Sequence, residues 1–466
     1  MENLSVKTEK TVKKNKMGVM PVGRLMFTMS VPLVISMFVQ ALYNVVDSFF
    51  VAQISTDALT AVSLAYPLQM LMIGVAVGTG IGLNSYISRQ LGAGNIEDAN
   101  KGGTNGLFVM LLSSAAFAVL GIFIKPFFKL FTDENILIEY GSTYLRICMI
   151  GSLGMFIEMG CEKILQAIGK NALSMVVQLT GAIANIILDP LFIFGIGPFP
   201  ELGIAGAAYA TIIGQWFAML ISLILVLAVK HEIKLDFRHF RPEKRAIKEI
   251  YRVGFPSIMM QSIGFFMNTG LNAILARILA SDAGVTVMGV YFKVQSMIFL
   301  PLFGITASSM SIFAYNFGAQ NRLRFTKTWK LTLLVTILFM TFGTIMIQIF
   351  PKEIISLFDS ENKISEMGVK AFRIISLHFP LAAISITCSV MFQAVGKASY
   401  SLITSIIRQL GVLLPAAFIL ALIFKDVDHM WWCFIISEFS AAVISLLWSA
   451  KIWKKKIKPM PDGAAV

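Results

Sequence analysis

Four polar side chains lie inside long apolar stretches, where an unpaired charge is costly. Asp47 and Asp189 are carboxylic acids, while Asn185 and Thr211 offer an amide and a hydroxyl oxygen. A charge at the centre of a bilayer costs at least ~2.5–3.5 kcal/mol, so an acid in such a stretch indicates a function. Two carboxylates in a medium of low polarity resist double ionisation, and they hold a proton or share a cation. The residues therefore predict a site that binds H⁺ or Na⁺.

The stretches that carry these residues have the composition of membrane-spanning helices. Of the 466 residues, 56% are hydrophobic and 14% are charged, whereas soluble domains carry about 25% charged residues. One bilayer crossing needs ~20 apolar residues. We therefore predict an all-α polytopic membrane protein with twelve spans, at about 26–51, 61–88, 104–126, 142–168, 171–197, 204–229, 250–277, 285–314, 328–350, 370–395, 398–424 and 429–450.

Three of these spans bring the four polar residues to a common depth. Asp47 and Asp189 each lie near the end of a span that begins on the same side of the membrane. Asn185 precedes Asp189 by one helical turn and shares its face. Span six runs in the reverse direction, so Thr211 reaches the same level ~10 Å from the start of that span. Spans one, five and six are therefore expected to hold the site between them.

Basic residues mark one side of the predicted membrane protein. The net charge is +13, and Lys and Arg cluster in an N-terminal segment, 1–25, a linker, 230–249, and a C-terminal tail, 451–466. Basic segments stay in the cytoplasm, so both termini and the linker are predicted to be cytoplasmic in a cell-membrane protein. The loops assigned to the outer side are mixed or acidic, as in Asp359–Glu361 and Asp426–Asp428. Clusters that alternate with apolar runs favour this interpretation over nucleic-acid binding.

The chain also repeats itself with a period of about 225 residues. Gln166–Lys170, with the sequence QAIGK, recurs as Gln393–Lys397, with the sequence QAVGK. Six spans per half is an even number, so both halves enter the membrane from the same side. Halves of this kind are related by a pseudo-two-fold axis along the membrane normal. We predict an N-lobe at 26–229, a C-lobe at 250–450 and a central cavity between them.

The repeat supplies a test of whether the two acids are merely structural. Asp47 aligns with Leu271 in the second half. Asp189 aligns with Ala416, or with Leu414 if the prolines of the two spans are matched. A carboxylate needed to build a lobe would recur in its copy, and these carboxylates do not. The comparison therefore favours a function for the acids over a structural role at the ends of their spans.

Four segments, in order along nearly the whole chain, carry a recognisable pattern: Pro32–Val51, Gln90–Gly94, Gly206–Thr211 and Tyr315–Ala319. They resemble the helices and glycine turns of the multidrug and toxic compound extrusion (MATE) antiporters. The resemblance is to bacterial branches with a cation site in the N-lobe, and it implies a site made by Asp47, Asn185, Asp189 and Thr211 together with Tyr43 and Asn44. The acid that other branches place in span seven is absent, since the nearest acid, Glu249, lies at the cytoplasmic edge.

Other intramembrane charges are candidates for a substrate-binding cavity. Glu158 and Glu162 form an i,i+4 pair that would attract a cationic substrate, and an ion pair with Lys163 is the alternative. Arg408 is a further candidate, and pairing with Glu438 is the alternative for that residue. The sequence leaves both alternatives open.

These features predict a cation-coupled antiporter that exports cationic amphiphilic drugs. The chain has no G-x-x-x-x-G-K-[ST] nucleotide-binding run, so an ion gradient is expected to supply the energy. Loading of the carboxylates with H⁺ or Na⁺ neutralises them and lets the first span bend at Pro32. The 26 methionines, with Met155 among the candidates, suit a cavity that re-packs around dissimilar drugs.

Two other classes of function were compared with this prediction. A lipid-linked precursor flippase of the same superfamily would have more spans and several arginines facing its cavity. A membrane-embedded enzyme would need a nucleophile–base pair or a set of metal ligands, and neither pattern is evident. The sequence predicts no enzymatic activity, no cofactor besides the coupling ion, and a monomer in the bilayer.

Overall fold

A computed structural model describes residues 15–130, 132–229, 231–238, 240–358 and 365–462. Within these ranges every regular element is a helix. Residues 1–14 and 463–466, at the two ends of the predicted cytoplasmic segments, lie outside the described residues, as does the predicted acidic loop Asp359–Glu361.

The first half of the chain forms six long helical segments. They are α1 (Val22–Ile54), α2 (Thr56–Gly92), α3 (Ile96–Ile122), α4 (Asn135–Ile150 and Leu153–Ala167), α5 (Asn171–Phe194) and α6 (Ile204–Ala228). Ser55 separates α1 from α2, and its hydroxyl accepts a hydrogen bond from the Ala58 N–H at 3.0 Å. This side chain satisfies one of the free N–H groups at the start of α2. The two parts of α4 meet at an angle of 47°.

The second half repeats this arrangement with six further segments. They are α7 (Lys244–Ala273), α8 (Asp282–Gly318), α9 (Arg322–Ile349), α10 (Ser365–Ser376 and Phe379–Ala394), α11 (Ala398–Ile406 and Leu414–Phe424) and α12 (Trp432–Ile452). The two parts of α10 meet at 45°, which matches the bend of α4 one repeat earlier. The two parts of α11 are joined by a π-helical segment, Ile407–Leu413.

The described helices confirm the predicted twelve-helix, two-lobe fold. Nine of them are long and apolar enough to cross a membrane, and the number rises to eleven when each bent pair counts as one span. The twelfth segment is α7, where polar residues such as Gln261 and Asn268 lower the mean hydropathy. Several helices begin earlier than the apolar runs predicted, as at Thr56 and Ile96. Helical hydrogen bonding continues into polar sequence, which an apolar run does not mark.

Each half packs around its own hydrophobic core. In the first half the core includes Phe128, Leu145 and Phe156, all fully buried. In the second half it includes Tyr291 and Trp431, which are also fully buried. Exposed phenylalanines and leucines on the helices face outward, as expected for a surface in contact with lipid. Each lobe thus has a core of its own, and a further cluster that includes Met26, Met29 and Ile312 joins the two halves.

The lobes meet through a symmetric pair of glycine contacts between α2 and α8. A Cβ atom on Gly92 would lie 1.9 Å from the carbonyl oxygen of Tyr315, and one on Gly318 would lie 2.0 Å from that of Arg89. The two contacts are related by the sequence repeat, as the predicted pseudo-two-fold axis requires. Beside them, the Ser85 hydroxyl donates to the Gln393 carbonyl oxygen at 2.7 Å. Only glycine permits helices to approach this closely.

The glycine contacts lie toward one face of the protein, which we call the basic side. Arg324 on α9 donates to the backbone oxygen of Met17 at 2.9 Å, and Arg322 donates to that of Lys458 at 3.1 Å. Asn15 donates to Glu232 in the linker at 2.9 Å. The first described residues, the linker and the last described residues thus gather on the basic side. Beyond the glycine contacts, a cavity of about 720 Å³ lies between the lobes.

Candidate functional site

Three of the predicted site residues form one hydrogen-bonded group between α5 and α6. The Asn185 amide donates to Asp189 at 3.3 Å and to the Thr211 hydroxyl at 3.4 Å. All three side chains are buried, and Asp189 is 0% exposed. The helices approach closely because α6 carries Gly214, on which a Cβ would lie 2.9 Å from the Gly181 carbonyl oxygen. This close packing lets Thr211 reach Asn185.

Asp47 and Tyr43 on α1 complete this group. The Asp47 carboxylate is close enough to Asp189 for the two negative charges to repel each other. The Tyr43 hydroxyl interacts with both carboxylates and with Thr211. Tyr43 and Asp47 are four residues apart on one helix, so they share the face that α1 turns toward α5. We call Tyr43, Asp47, Asn185, Asp189 and Thr211 the carboxylate cluster.

The carboxylate cluster holds acceptor oxygens that the protein does not satisfy. One oxygen of each carboxylate, Oδ1 of Asp47 and Oδ2 of Asp189, is buried and accepts no hydrogen bond from the described residues. The amide oxygen of Asn185 is in the same state. Buried acceptors of this kind are costly unless a partner binds them. Carboxylate and amide oxygens suit a proton or a hard cation such as Na⁺.

The described residues contain no group of three or more His, Cys, Asp or Glu side chains placed to hold a metal ion. The carboxylate cluster has two acids, and its other members are neutral. The cluster therefore offers carboxylate, amide and hydroxyl oxygens.

Two members of this neighbourhood were missed in the sequence. Tyr144 and Cys148 on α4 lie near Asp47. Gln69 on α2 donates a hydrogen bond to the Tyr144 hydroxyl at 3.3 Å. The sequence signal that could have identified Tyr144 and Cys148 is their spacing of four residues, which places both on one face of the helix. It was overlooked because neither residue carries a charge.

Asn44, which the family resemblance implied, is not part of the hydrogen-bonded group. Its side chain is on the exposed surface of α1, and its backbone carbonyl accepts a bond from the Ser48 hydroxyl at 2.9 Å. One residue along a helix turns the side chain by about 100°. The position next to Tyr43 therefore points away from the cluster.

Pro32 lies inside α1, which is helical from Val22 to Ile54. On one side of Pro32, Ser30 shares a hydrogen bond of 2.5 Å with Ser308 of α8. On the other side, a Cβ on Gly304 of α8 would lie 2.9 Å from the Val34 N atom. The part of α1 around the proline is therefore held against the C-lobe, while Leu42 and the residues after it have exposed side chains on one face.

The central cavity includes one of the four residues predicted to line it. Arg408 lies in the wall, whereas Met155, Glu158 and Glu162 are not among the described lining residues. Met155 packs in the N-lobe core and is 7% exposed. Methionine on the inner face of a helix fills such gaps well, so its abundance alone does not identify a cavity residue.

Glu162 is engaged by its neighbours on α4 and α5. Its carboxylate accepts hydrogen bonds from Lys163 at 3.3 Å, from Gln178 at 2.9 Å and from Gln166, and its side chain is 1% exposed. The ion pair with Lys163, which the sequence left as the alternative, is the arrangement in the structure. Glu162 therefore points toward amide groups rather than into the cavity.

Arg408 and Glu438 likewise form a pair. The Arg408 Nη1 atom lies 3.3 Å from each oxygen of the Glu438 carboxylate. The Ser385 hydroxyl donates to the same carboxylate. Close to this pair, His378 Nε2 shares a hydrogen bond of 2.9 Å with the Tyr291 hydroxyl. These polar groups all belong to the C-lobe.

Comparison with known proteins supports both the repeat and the fold. The family model MatE matches residues 32–191 and 256–419, one match in each half. A FAD transporter of Shewanella oneidensis is 27% identical over 400 residues, which cover 85% of this chain and 88% of that protein. The multidrug export protein MepA of Staphylococcus aureus strain N315 is 26% identical over 438 residues, which cover 92% of this chain and 93% of that protein.

Solved structures of similar proteins have the same fold. One is described as the outward-facing conformation of a multidrug resistance MATE family transporter of the MOP superfamily. It is 25% identical, with a TM-score of 0.89, and the match covers 97% of this chain and 100% of that chain. The two-lobed arrangement therefore extends over essentially the whole described molecule.

Proposed function

The chain belongs to the MATE family of multidrug efflux transporters, and we propose that it exports small organic molecules in exchange for H⁺ or Na⁺ that enters the cell. The family membership confirms the resemblance read from the sequence. The two relatives are named for different cargoes, FAD and drugs. Family membership therefore does not identify the substrate, and the residues of the cavity determine which substrate binds.

The observation that carries the proposal is the set of unpartnered oxygens in the carboxylate cluster. Asp47 and Asp189 repel each other when both are ionised, and each has a buried oxygen without a partner among the described residues. A proton or a Na⁺ ion relieves both costs at once. Asn185 and Thr211 would then contribute neutral oxygens to the bound ion.

We propose that ion binding drives export through α1. Neutralising the cluster removes the repulsion that separates the outer part of α1 from α5. The helix can then move toward α5 about Pro32, where a backbone hydrogen bond is missing. Such a movement would shrink the space available to substrate. After the lobes reopen toward the cytoplasm, release of the ion resets the cycle.

We further propose that the basic side faces the cytoplasm and that both termini lie there. Arg322 and Arg324 gather on this side with the linker, and the positive-inside rule assigns such clusters to the cytoplasm. A cysteine introduced by Asp462→Cys should react with an impermeant thiol reagent in inverted vesicles and not in intact cells. Labelling in intact cells would refute this orientation. The four native cysteines are buried, which keeps the background low.

The test of coupling uses purified protein in liposomes loaded with a fluorescent substrate. A pH gradient and a Na⁺ gradient are imposed separately, and substrate movement is recorded for the wild type. We expect at least one gradient to drive transport and Asp189→Asn to abolish it. The matched control is Asp282→Asn, which changes an exposed acid at the start of α8. Transport at equal rates with and without both gradients would refute ion coupling.

A further inference from the structure

The described wall of the central cavity has no free carboxylate for a cationic substrate. Glu438 is the one acid among the described lining residues, whereas Lys163 and Arg408 both contribute positive charge. The Glu438 carboxylate already accepts hydrogen bonds from Arg408 and Ser385, and its side chain is 6% exposed. A substrate ammonium group would have to displace these bonds to reach it. The described wall is thus poorly suited to recognise a cation by ion pairing.

Arg408, by contrast, keeps hydrogen-bond donors directed away from its partner. A guanidinium group has five N–H donors, and the described bonds to Glu438 use only the Nη1 atom. The Arg408 side chain is 24% exposed, more than that of Glu438. Its Nε and Nη2 atoms therefore remain for an acceptor in the cavity. Neighbouring N–H groups of this kind match the two oxygens of a carboxylate or phosphate.

The π-helical segment Ile407–Leu413 explains how Arg408 reaches the cavity. Pro415 follows this segment and has no N–H to offer the carbonyl of Gly411, four residues earlier. The α-helical pattern is interrupted there, and the wider turn places both Arg408 and Gln409 in the wall. Single π-helical turns inside α-helices often occur at functional sites.

An aromatic surface lies beside Arg408. The ring of His378 stacks on Phe434 with centroids 5.7 Å apart, and it lies 6.4 Å from the ring of Phe299. All three rings line the cavity. The His378 Nδ1 atom is buried and has no hydrogen-bond partner among the described residues. A flat ring with a polar substituent could pack here while its anionic group meets Arg408.

We propose that this C-lobe wall is a subsite for amphiphilic organic anions, in which Arg408 binds a carboxylate or phosphate and Phe299 and Phe434 hold an aromatic body. Lys163, on the N-lobe side of the cavity, is already paired with Glu162 at 3.3 Å, so Arg408 carries the recognition of the anion. The inference rests on the proposed export function and names the substrate class. It differs from the cationic drugs expected from the sequence, which relied on Glu158 and Glu162 facing the cavity.

The test compares two dyes with the same ring system and opposite charge. Fluorescein carries a free carboxylate, whereas rhodamine 6G is a cation with an esterified one. Binding to the purified protein in detergent is measured by fluorescence anisotropy. We expect the wild type to bind fluorescein more tightly than rhodamine 6G. Arg408→Gln should weaken fluorescein binding by about 10- to 100-fold, the range for a hydrogen bond to a charged group, and should not weaken rhodamine 6G binding.

Two further variants guard against trivial explanations. Arg373→Gln, which removes an exposed C-lobe arginine outside the described cavity wall, should bind fluorescein as the wild type does. The double variant Arg408→Gln/Glu438→Gln leaves no unpaired charge, so it should fold and still lose fluorescein binding. Unchanged fluorescein affinity in the double variant, or a wild-type preference for rhodamine 6G, would overturn the subsite.

The binding test and the coupling test fail independently. Anisotropy is measured without any ion gradient, so a protein that lacks ion coupling would still show the Arg408 effect. Conversely, ion-driven export of rhodamine 6G but not fluorescein would support the proposed function and refute the anion subsite.

Discussion

The two lobes share one architecture, but the Asp47 and Asp189 pair of the N-lobe and the Glu438 carboxylate of the C-lobe are partnered in opposite ways. In the N-lobe, Asp47 and Asp189 lie close together, and each keeps a buried oxygen without a partner among the described residues. In the C-lobe, Glu438 is paired with Arg408 and also bonded by Ser385. The Asp47 and Asp189 pair therefore keeps acceptor oxygens without a partner among the described residues, whereas Glu438 has a counter-charge. The two halves repeat one backbone arrangement, and the side chains at these two sites differ.

The proline-containing spans show where this difference arises. In α5, Asp189 immediately precedes Pro190, and the segment stays α-helical from Asn171 to Phe194 although Pro190 has no N–H to donate. In α11, the residue before Pro415 is apolar, and the helix widens into a π-helical segment one turn earlier. A proline thus interrupts the backbone hydrogen bonding of both helices, next to a buried carboxylate in α5 and next to the π-helical segment that carries Arg408 in α11.

The largest effect is expected when the N-lobe carboxylates are neutralised. Asn retains the size of Asp and a carbonyl acceptor but cannot bind and release a proton or supply negative charge. Asp47→Asn and Asp189→Asn should each reduce gradient-driven export in liposomes to the level of empty vesicles. Near-normal export by either variant would remove the functional distinction between the lobes. Glu438→Gln in the C-lobe serves as the comparison, and it should keep ion-driven export of at least one substrate.

The next effect concerns the glycine contacts between α2 and α8, which are equivalent in the two lobes. Gly92→Ala and Gly318→Ala would each force a Cβ into a carbonyl oxygen of the other lobe. Overpacking of this kind costs about 1–3 kcal/mol, so both variants should shift the protein toward opening on the basic side. The readout is thiol labelling of Ser389→Cys, a cavity position, by a reagent supplied from that side.

A matched control exists for the glycine variants. A Cβ on Gly264 of α7 would have no neighbouring atom within 4 Å, so Gly264→Ala should leave labelling unchanged. Unequal effects of Gly92→Ala and Gly318→Ala would contradict the symmetry of the contact.

A smaller effect is expected on stability, which Glu438→Gln should lower and Asp189→Asn should raise. Glu438→Gln leaves Arg408 without its counter-charge, and it should destabilise the folded protein by about 1–3 kcal/mol, less than a fully buried pair because Arg408 is 24% exposed. Asp189→Asn removes a carboxylate that Asp47 repels and that has one buried oxygen without a partner among the described residues, and it should raise the melting temperature in detergent. Thermal unfolding at fixed pH and salt compares the two. A loss of stability in both variants would mean that the N-lobe acids are structural as well.

The smallest effect is expected at an exposed ion pair of the C-lobe. Lys370 and Asp428 are 2.9 Å apart, with side chains that are 61% and 28% exposed. Water screens such pairs, so Lys370→Ala should produce no measurable change in melting temperature or export. A clear loss of stability would show that exposed charges matter in this lobe as much as the Arg408–Glu438 pair.

Most of the carboxylate cluster was predictable because it depends on depth and helical spacing. Asp47, Asn185, Asp189 and Thr211 were assigned to one level by counting residues along three spans, and the structure brings them together. Tyr144 was missed because residues were selected by the free-energy cost of burying a charge in an apolar helix, and an uncharged tyrosine has no such cost. Counting residues along the spans identifies charged and strongly polar groups, because their burial is unfavourable, and it overlooks groups whose burial is not.

The sequence by itself determined the twelve helical segments, the two-lobe repeat and the depth of the carboxylates, since these follow from apolar run length, helical rise and chain order. Only the tertiary structure decided which way Glu162 and Arg408 face. A side chain moves from core to cavity when a helix turns by about 100°, or one residue. That rotation is set by packing against neighbours, as where Gln178 of α5 bonds Glu162 and where the π-helical segment carries Arg408 into the wall.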